Sequence, residues 1–218
     1  MSTQTFSTRS VVAGIVAMAA VVIASNVLVQ YPVAFEVGAL NLADLLTWGA
    51  FTYPAAFLVT DLTNRRFGPS AARMVVFAGF VLAVILSVVL ATPRIAIASG
   101  SAFLVAQLLD VAIFDRLRRR VWWVPPFVSS LIGSVIDTAL FFSLAFAASF
   151  SMIGANDAFA IEAAPLFGLL AIEAPRWVSW ALGDFAVKIL VAMALLAPYG
   201  VLIRFMRVMP AKTAPAAH

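Results

Sequence analysis

Six stretches of mainly apolar residues, each close to twenty long, succeed one another along this chain: about 11–30, 44–62, 73–92, 95–114, 126–147 and 176–204. A helix rises about 1.5 Å per residue, so about 20 residues cross the roughly 30 Å of hydrocarbon in a bilayer. Within hydrocarbon every backbone N–H and C=O needs an internal partner, and a bundle of helices is what segments of this length can supply. The expectation is an all-α integral membrane protein, six transmembrane helices forming a single membrane domain. Thr92-Pro93-Arg94 divides the third run from the fourth, and Pro198 should kink the last run or split off a short piece. The first run is longer than a signal-peptide core and five more follow it, so a retained helix is expected.

Charge placement gives an orientation. Only 11% of the 218 residues are charged, against about a quarter in soluble domains. The net charge of +4 would suit a nucleic-acid partner if the cations formed a face. They fall instead in clusters between the apolar runs, so no nucleic acid is expected. If the N-terminus is cytoplasmic, the inner segments hold Arg9, Arg65, Arg66, Arg73, Arg116, Arg118, Arg119, Arg120, Arg204, Arg207 and Lys212. The outer segments hold only Arg94 and Arg176. That bias places both termini inside, in a cell inner membrane. The chain has no cysteine, and its single histidine, His218, is the last residue. Thiolate chemistry and a histidine metal site are thereby excluded, and neither metal nor cofactor is expected. The outer loop, 150–175, is acidic through Asp157, Glu162 and Glu173. Its apolar patch from Pro165 to Ile172 is too short to span and reads as an interfacial or re-entrant piece. Trp122, Trp123, Trp177 and Trp180 lie near span ends, where aromatic belts form.

Ionisable groups inside hydrocarbon are costly, so depth along each span decides which of them carry information. Asp61 and Asp110 fall near the inner ends of spans two and four, close in sequence to Arg65, Arg66 and Arg116. For these two, an interfacial ion pair, a helix-end contact or a gate are the open readings. Asp137 and Lys188 each lie about a dozen residues from a span end, on oppositely running helices, and so share a depth near mid-bilayer. Asp184 stands one turn before Lys188 on the same face. A buried charge pair that locks the bundle would explain this; a solute site or proton path is the reading favoured for charges at this depth. Ser99, Phe103, Gln107 and Asp110 line up at helical spacing on span four, as do Ser130, Ser134, Asp137 and Phe141 on span five. Carboxylate, amide, hydroxyl and aromatic groups on one stripe would suit a flat polar heterocycle. Tyr53-Pro54 breaks span two halfway, as helices beside transport sites often are broken.

Several segments resemble the queuosine precursor transporter family, also called the vitamin uptake transporter family. They are Ser25-Asn26-Val27-Leu28-Val29-Gln30, Thr47-Trp48-Gly49-Ala50-Phe51-Thr52-Tyr53-Pro54 and Thr60-Asp61-Leu62-Thr63-Asn64-Arg65-Arg66-Phe67-Gly68. Arg94-Ile95-Ala96-Ile97-Ala98-Ser99, Gln107-Leu108-Leu109-Asp110-Val111, Asp137-Thr138, Lys188-Ile189-Leu190 and Pro198-Tyr199-Gly200 continue the likeness in order. The resemblance implies import of a 7-deazaguanine, such as 7-cyano-7-deazaguanine or its aminomethyl relative, for salvage into the tRNA nucleoside queuosine.

The expected carrier has a cavity between spans two, four, five and six. Asp137 and Lys188 anchor the solute, Gln107, Ser99 and Asp184 support it, and Phe51, Phe103 or Phe141 stacks on its ring. Asp61 and Asp110, with Asn64 and Arg94, belong to a gate or an ion pair. Two other readings compete. One is the substrate-binding component of an energy-coupling-factor transporter, although no P-loop is present and no ATPase partner is implied. The other is an intramembrane aspartyl protease using Asp137 and Asp184, disfavoured by Ala181-Leu182-Gly183 before Asp184 and by Lys188 one turn after it.

Overall fold

The computed structural model describes residues 8–206; Arg207, Lys212 and His218 lie outside them. Five helices are long and apolar enough to cross a membrane. They are α1 (Thr8–Leu28), α4 (Pro69–Leu90), α5 (Pro93–Leu117), α6 (Val124–Phe146) and α8 (Arg176–Phe205). Their starts follow local chemistry. Thr92 caps α5 by accepting from the Ile95 N–H, and Pro93 takes the first-turn position where its missing N–H costs nothing. Prolines also open α4 and α6. Gly68, just before α4, sits at φ 86°, a left-handed conformation that a side chain would strain.

The second apolar run is the exception to the six-helix expectation. Across 44–62 the chain forms a 3-10 turn (Leu42–Asp44), a one-turn helix α2 (Gly49–Thr52) and α3 (Ala55–Phe67). The 13 residues of α3 alone rise about 20 Å, so the second run is a broken helix and not one continuous span like the other five. Tyr53-Pro54 interrupts the helix, and Gly49 packs so tightly that a Cβ there would sit 2.9 Å from the Val29 Cα. No separate piece splits off at Pro198, since α8 runs from Arg176 to Phe205 with the proline inside it. Membrane helices tolerate an internal proline because neighbouring groups meet the freed carbonyl.

α5 packs between α4 and α6, α1 lies against α4, and α8 lies against α6. α3 sits in the middle, touching α1, α4, α5, α6 and α8. Small residues let these helices approach; Ala56, Ala71, Ala72, Val75 and Ala83 pack with Met18 and Phe103 in the core.

Two short hairpins cover one end of the bundle. β1 (Glu36–Val37) pairs with β2 (Leu40–Asn41), and β3 (Ala163–Pro165) pairs with β4 (Glu173–Pro175), both antiparallel. A helical turn, α7 (Ala158–Ile161), precedes the second hairpin. The 165–172 patch is therefore the tip of a hairpin; its Phe167 N–H donates to Ser179 Oγ at 3.0 Å. Arg94, 5% exposed, fastens this end. Its guanidinium donates to the carbonyls of Leu144, Ala147, Gly154 and Ala155 and to Asn156 Oδ1. Those carbonyls include ones that the C-terminus of α6 leaves without helical partners. Arg94 thus acts as a clamp, and among the described residues it joins no ion pair.

Candidate functional site

Under the hairpins a cavity of about 1270 Å³ opens into the bundle. Its floor is built from two helices, α6 and α8, and from the Tyr53-Pro54 break. Lys188 of α8, 4% exposed, places Nζ 2.7 Å from Asp137 Oδ2 on α6 and 2.5 Å from Asp184 Oδ2. A third contact runs from Nζ to Thr138 Oγ1 at 3.2 Å. All three ammonium protons are thereby used. The Thr138 hydroxyl donates to Asp184 Oδ2 at 2.9 Å, and the Tyr53 hydroxyl donates to Asp137 Oδ1 at 3.2 Å. The Tyr53 ring also lies under the ammonium, 5.4 Å from Nζ. One cation thus serves two carboxylates, held in place by hydroxyls from both sides.

The sequence placed Asp137 and Lys188 at one depth, with Asp184 one turn from Lys188 on the same face, and in the structure Lys188 touches both carboxylates. Ser99 and Phe141 line the same cavity. The other candidates do not. Phe103 is buried behind the floor, edge-on to Tyr53 with centroids 6.1 Å apart. Gln107 is fully buried, its Oε1 accepting from the Thr60 hydroxyl at 2.7 Å. Phe51 is 37% exposed and turns toward Trp48. Sequence reasoning missed Ser25, Asn26 and Thr47 in the wall, and Tyr53 in the floor. The Tyr53-Pro54 break was the signal for Tyr53. Trp180 also lines the cavity, packed on Phe146 at 5.5 Å and Phe159 at 6.2 Å. It belongs to the cavity wall, not to a membrane belt.

The opposite end of the bundle is rich in arginine and tightly closed. Arg65, 8% exposed, donates through Nε to the Tyr199 hydroxyl at 2.9 Å and through its other nitrogens to the carbonyls of Arg118 and Trp122. Trp122 stacks on Tyr199. Arg118 binds the carbonyl of Asn64 at 2.7 Å and also its side-chain oxygen, while Asn64 Nδ2 donates to the Val111 carbonyl. Asp61 accepts from Ser129 and Ser130, and neither it nor Asp110 joins the ion pairs of the described residues. The ion-pair reading for these aspartates fails because the neighbouring arginines turn instead to carbonyls and Tyr199.

A family model described as a putative vitamin uptake transporter matches residues 47–92 and 85–203. The chain belongs to this family. It is 36% identical over 208 residues to the queuosine precursor transporter of Escherichia coli (strain K12), covering 85% of this chain and 83% of that one. It is 35% identical to a probable queuosine precursor transporter of Haemophilus influenzae, over 84% of this chain and 82% of the relative. A probable queuosine precursor transporter of Bacillus subtilis is 28% identical over 46% of this chain and 56% of its own. No solved structure matches. A vitamin uptake transporter of this kind is a multi-pass membrane protein that moves a solute, and these relatives are carriers, not enzymes. The ammonium wedged between Asp137 and Asp184 also occupies the place where a protease dyad would hold its water.

Proposed function

We propose that the chain imports a queuosine precursor, a 7-deazaguanine such as 7-cyano-7-deazaguanine, across the cell inner membrane for salvage into tRNA. The observation that carries this reading is the Lys188–Asp137–Asp184 cluster at the floor of an open, aromatic-walled cavity, in a chain whose relatives carry that solute's name. The hairpin end faces outward and both termini face the cytoplasm, a reading supported by the excess of arginine at the opposite end. The cavity is then open to the side from which the solute comes.

Asp184, whose side chain is 15% exposed, is the carboxylate the cavity reaches most readily, and it accepts ring N–H groups. Lys188 turns one proton toward a ring carbonyl or nitrile once the solute displaces a present partner. Ser99 adds a hydroxyl, and Phe141 with Trp180 covers the ring faces. Gln107 and Phe103 act from behind the floor by fixing Thr60 and Tyr53, and Phe51 sits at the rim. Asp61, Asn64 and Asp110 belong to the inner gate, and Arg94 frames the outer one. No cofactor or ATPase partner enters this mechanism.

The test is rescue of tRNA queuosine in a strain unable to make the precursor, with guanine and unrelated vitamins as competing solutes. The full chain restores queuosine from 7-cyano-7-deazaguanine, also in a host lacking shared energy-coupling subunits. Asp137→Asn and Lys188→Met chains that reach the membrane do not. Rescue by both variants refutes the site; competition by guanine equal to that by the deazaguanine refutes the solute. Loss of rescue without the coupling subunits points to the energy-coupling-factor alternative.

A further inference from the structure

Four buried side-chain atoms among the described residues lack any hydrogen-bond partner: Gln107 Nε2, both carboxyl oxygens of Asp110 and Ser134 Oγ. All belong to α5 and α6, the helices that meet α3 between the Lys188 cluster and the arginine-rich end. On α6, Asp137, Ser134 and Ser130 share one face, a line descending about 10 Å from the cavity floor. On α5, Gln107 and Asp110 descend in parallel.

The line ends at two facing carboxyls. Asp61 is 2% exposed and Asp110 fully buried, and the Thr60–Gln107 and Asn64–Val111 hydrogen bonds on either side of them hold α3 against α5 at this level. The Ser129 and Ser130 hydroxyls approach Asp61 at 3.4 Å each. The charged and titratable groups around the pair are Arg65, Arg118 and Tyr199, and they bind one another and backbone carbonyls. Asp115, a further turn along α5, takes Arg118 at its own end of the helix. Two buried carboxylates on facing helices, neither in an ion pair among the described residues, repel in a dry site, and one proton held between them removes that cost. A small cavity of about 20 Å³ touches Asp61, Ser130 and Tyr199, enough for one water.

We propose that Asp61 and Asp110 share one exchangeable proton, and that this proton crosses with the solute and drives its uptake. The inference rests on the transport reading above. Hydronium from the cavity side gives up a proton along the Ser134–Ser130 face and leaves water; the carboxylate becomes a carboxylic acid. That acid returns its proton to water on the arginine-rich side and is a carboxylate again. One positive charge crosses in each cycle, and nothing is oxidised.

The test uses the purified full chain in proteoliposomes with labelled 7-cyano-7-deazaguanine. An exterior one pH unit more acidic than the lumen should concentrate the probe up to about tenfold, the equivalent of one proton per solute. A sodium gradient of the same size should not. In Asp61→Asn and Asp110→Asn the ratio of gradient-driven accumulation to counterflow exchange should fall to about one, and Asp110→Glu should restore it. Exchange by the unaltered chain that ignores the pH gradient overturns the proposal, as does uptake driven by sodium, or undiminished accumulation in both Asn variants. A chain that exchanges no deazaguanine at all refutes the transport reading instead. The proton is then read by infrared spectroscopy: a carboxylic-acid band absent from Asp61→Asn and Asp110→Asn supports the shared site, and its absence from the unaltered chain overturns it.

Discussion

Replacing Lys188 by Met keeps most of the stem's bulk and removes the charge, which makes it the sharpest probe of the cavity floor. The ammonium is 4% exposed and within 2.7 Å of two carboxylates on different helices. Removing one partner of a buried pair costs about 3–5 kcal/mol, because the other charge is left without compensation. Here two carboxylates are left, but both border a cavity open to water, so the lower end of that range applies, about 3 kcal/mol. The formal charge of the cluster goes from −1 to −2. Adding Asp137→Asn brings it back to −1, so the double variant should recover about 2 kcal/mol of the loss, within the range of coupling energies between contacting residues. Uptake should stay abolished in both, since solute needs the ammonium as well as a stable bundle. Unfolding of detergent-purified protein, followed by tryptophan fluorescence, measures the stability, and deazaguanine uptake measures the function. The reasoning fails if Lys188→Met unfolds within about 1 kcal/mol of the parent, or if the double variant is less stable than the single one.

Three further substitutions separate roles elsewhere. Arg94→Ala leaves the end of α6 and the 154–156 segment without their shared donor, and should cost more than about 3 kcal/mol and expose 147–156 to limited proteolysis; Arg94→Lys should not rescue it, because an ammonium cannot match the planar fork. Gly49→Ala drives a Cβ to 2.9 Å from the Val29 backbone and should cost about 1–3 kcal/mol, read as a lowered melting temperature. Trp180→Ala removes an aromatic wall of the cavity and should raise the uptake KM roughly two- to tenfold, from the loss of about 0.5–1.5 kcal/mol of ring contact, with membrane insertion unchanged by immunoblot.

Length and apolarity made five of the helices legible, since twenty apolar residues have few other ways to satisfy their backbone. Depth arithmetic brought Asp137 to Lys188, because both helices are long and continuous enough for residue counts to become distances. Span two was legible only in part, because it is a broken helix. Its average hydropathy hid Gly49, Tyr53 and Pro54, and the chain there is held by contacts to 29–48 that no periodicity announces. Gln107 was read as cavity lining for a related reason. It shares a stripe with Ser99, but it lies two turns deeper, about 12 Å along α5, below the floor that Tyr53 and Lys188 form. Face was readable from spacing, whereas the depth at which the cavity ends depends on which side chains meet across helices.

The position of α3 also decides how the closed end can open. Thr60, Asp61, Thr63, Asn64 and Arg65 are all buried on a helix of 13 residues, polar groups that could not face lipid without large cost. They are tolerated because five longer helices surround α3. The closing contacts converge on it: Arg65 to Tyr199 of α8, and Arg118 to Asn64. α5 and α6, by contrast, pack along most of their length. Opening therefore separates α8 from α3 and leaves the α5–α6 pair intact. Tyr199→Phe removes the acceptor of a charged hydrogen bond worth about 1.5–3 kcal/mol, which should raise the open population at least tenfold. The chain has no cysteine of its own, so a single cysteine at Ala192, beside the inner void, reports this directly. Its maleimide labelling from the arginine-rich side should speed up by about the same factor in Tyr199→Phe. Equal labelling rates, or faster labelling at an α5–α6 contact such as Ala106→Cys, would mean that a different pair of helices parts.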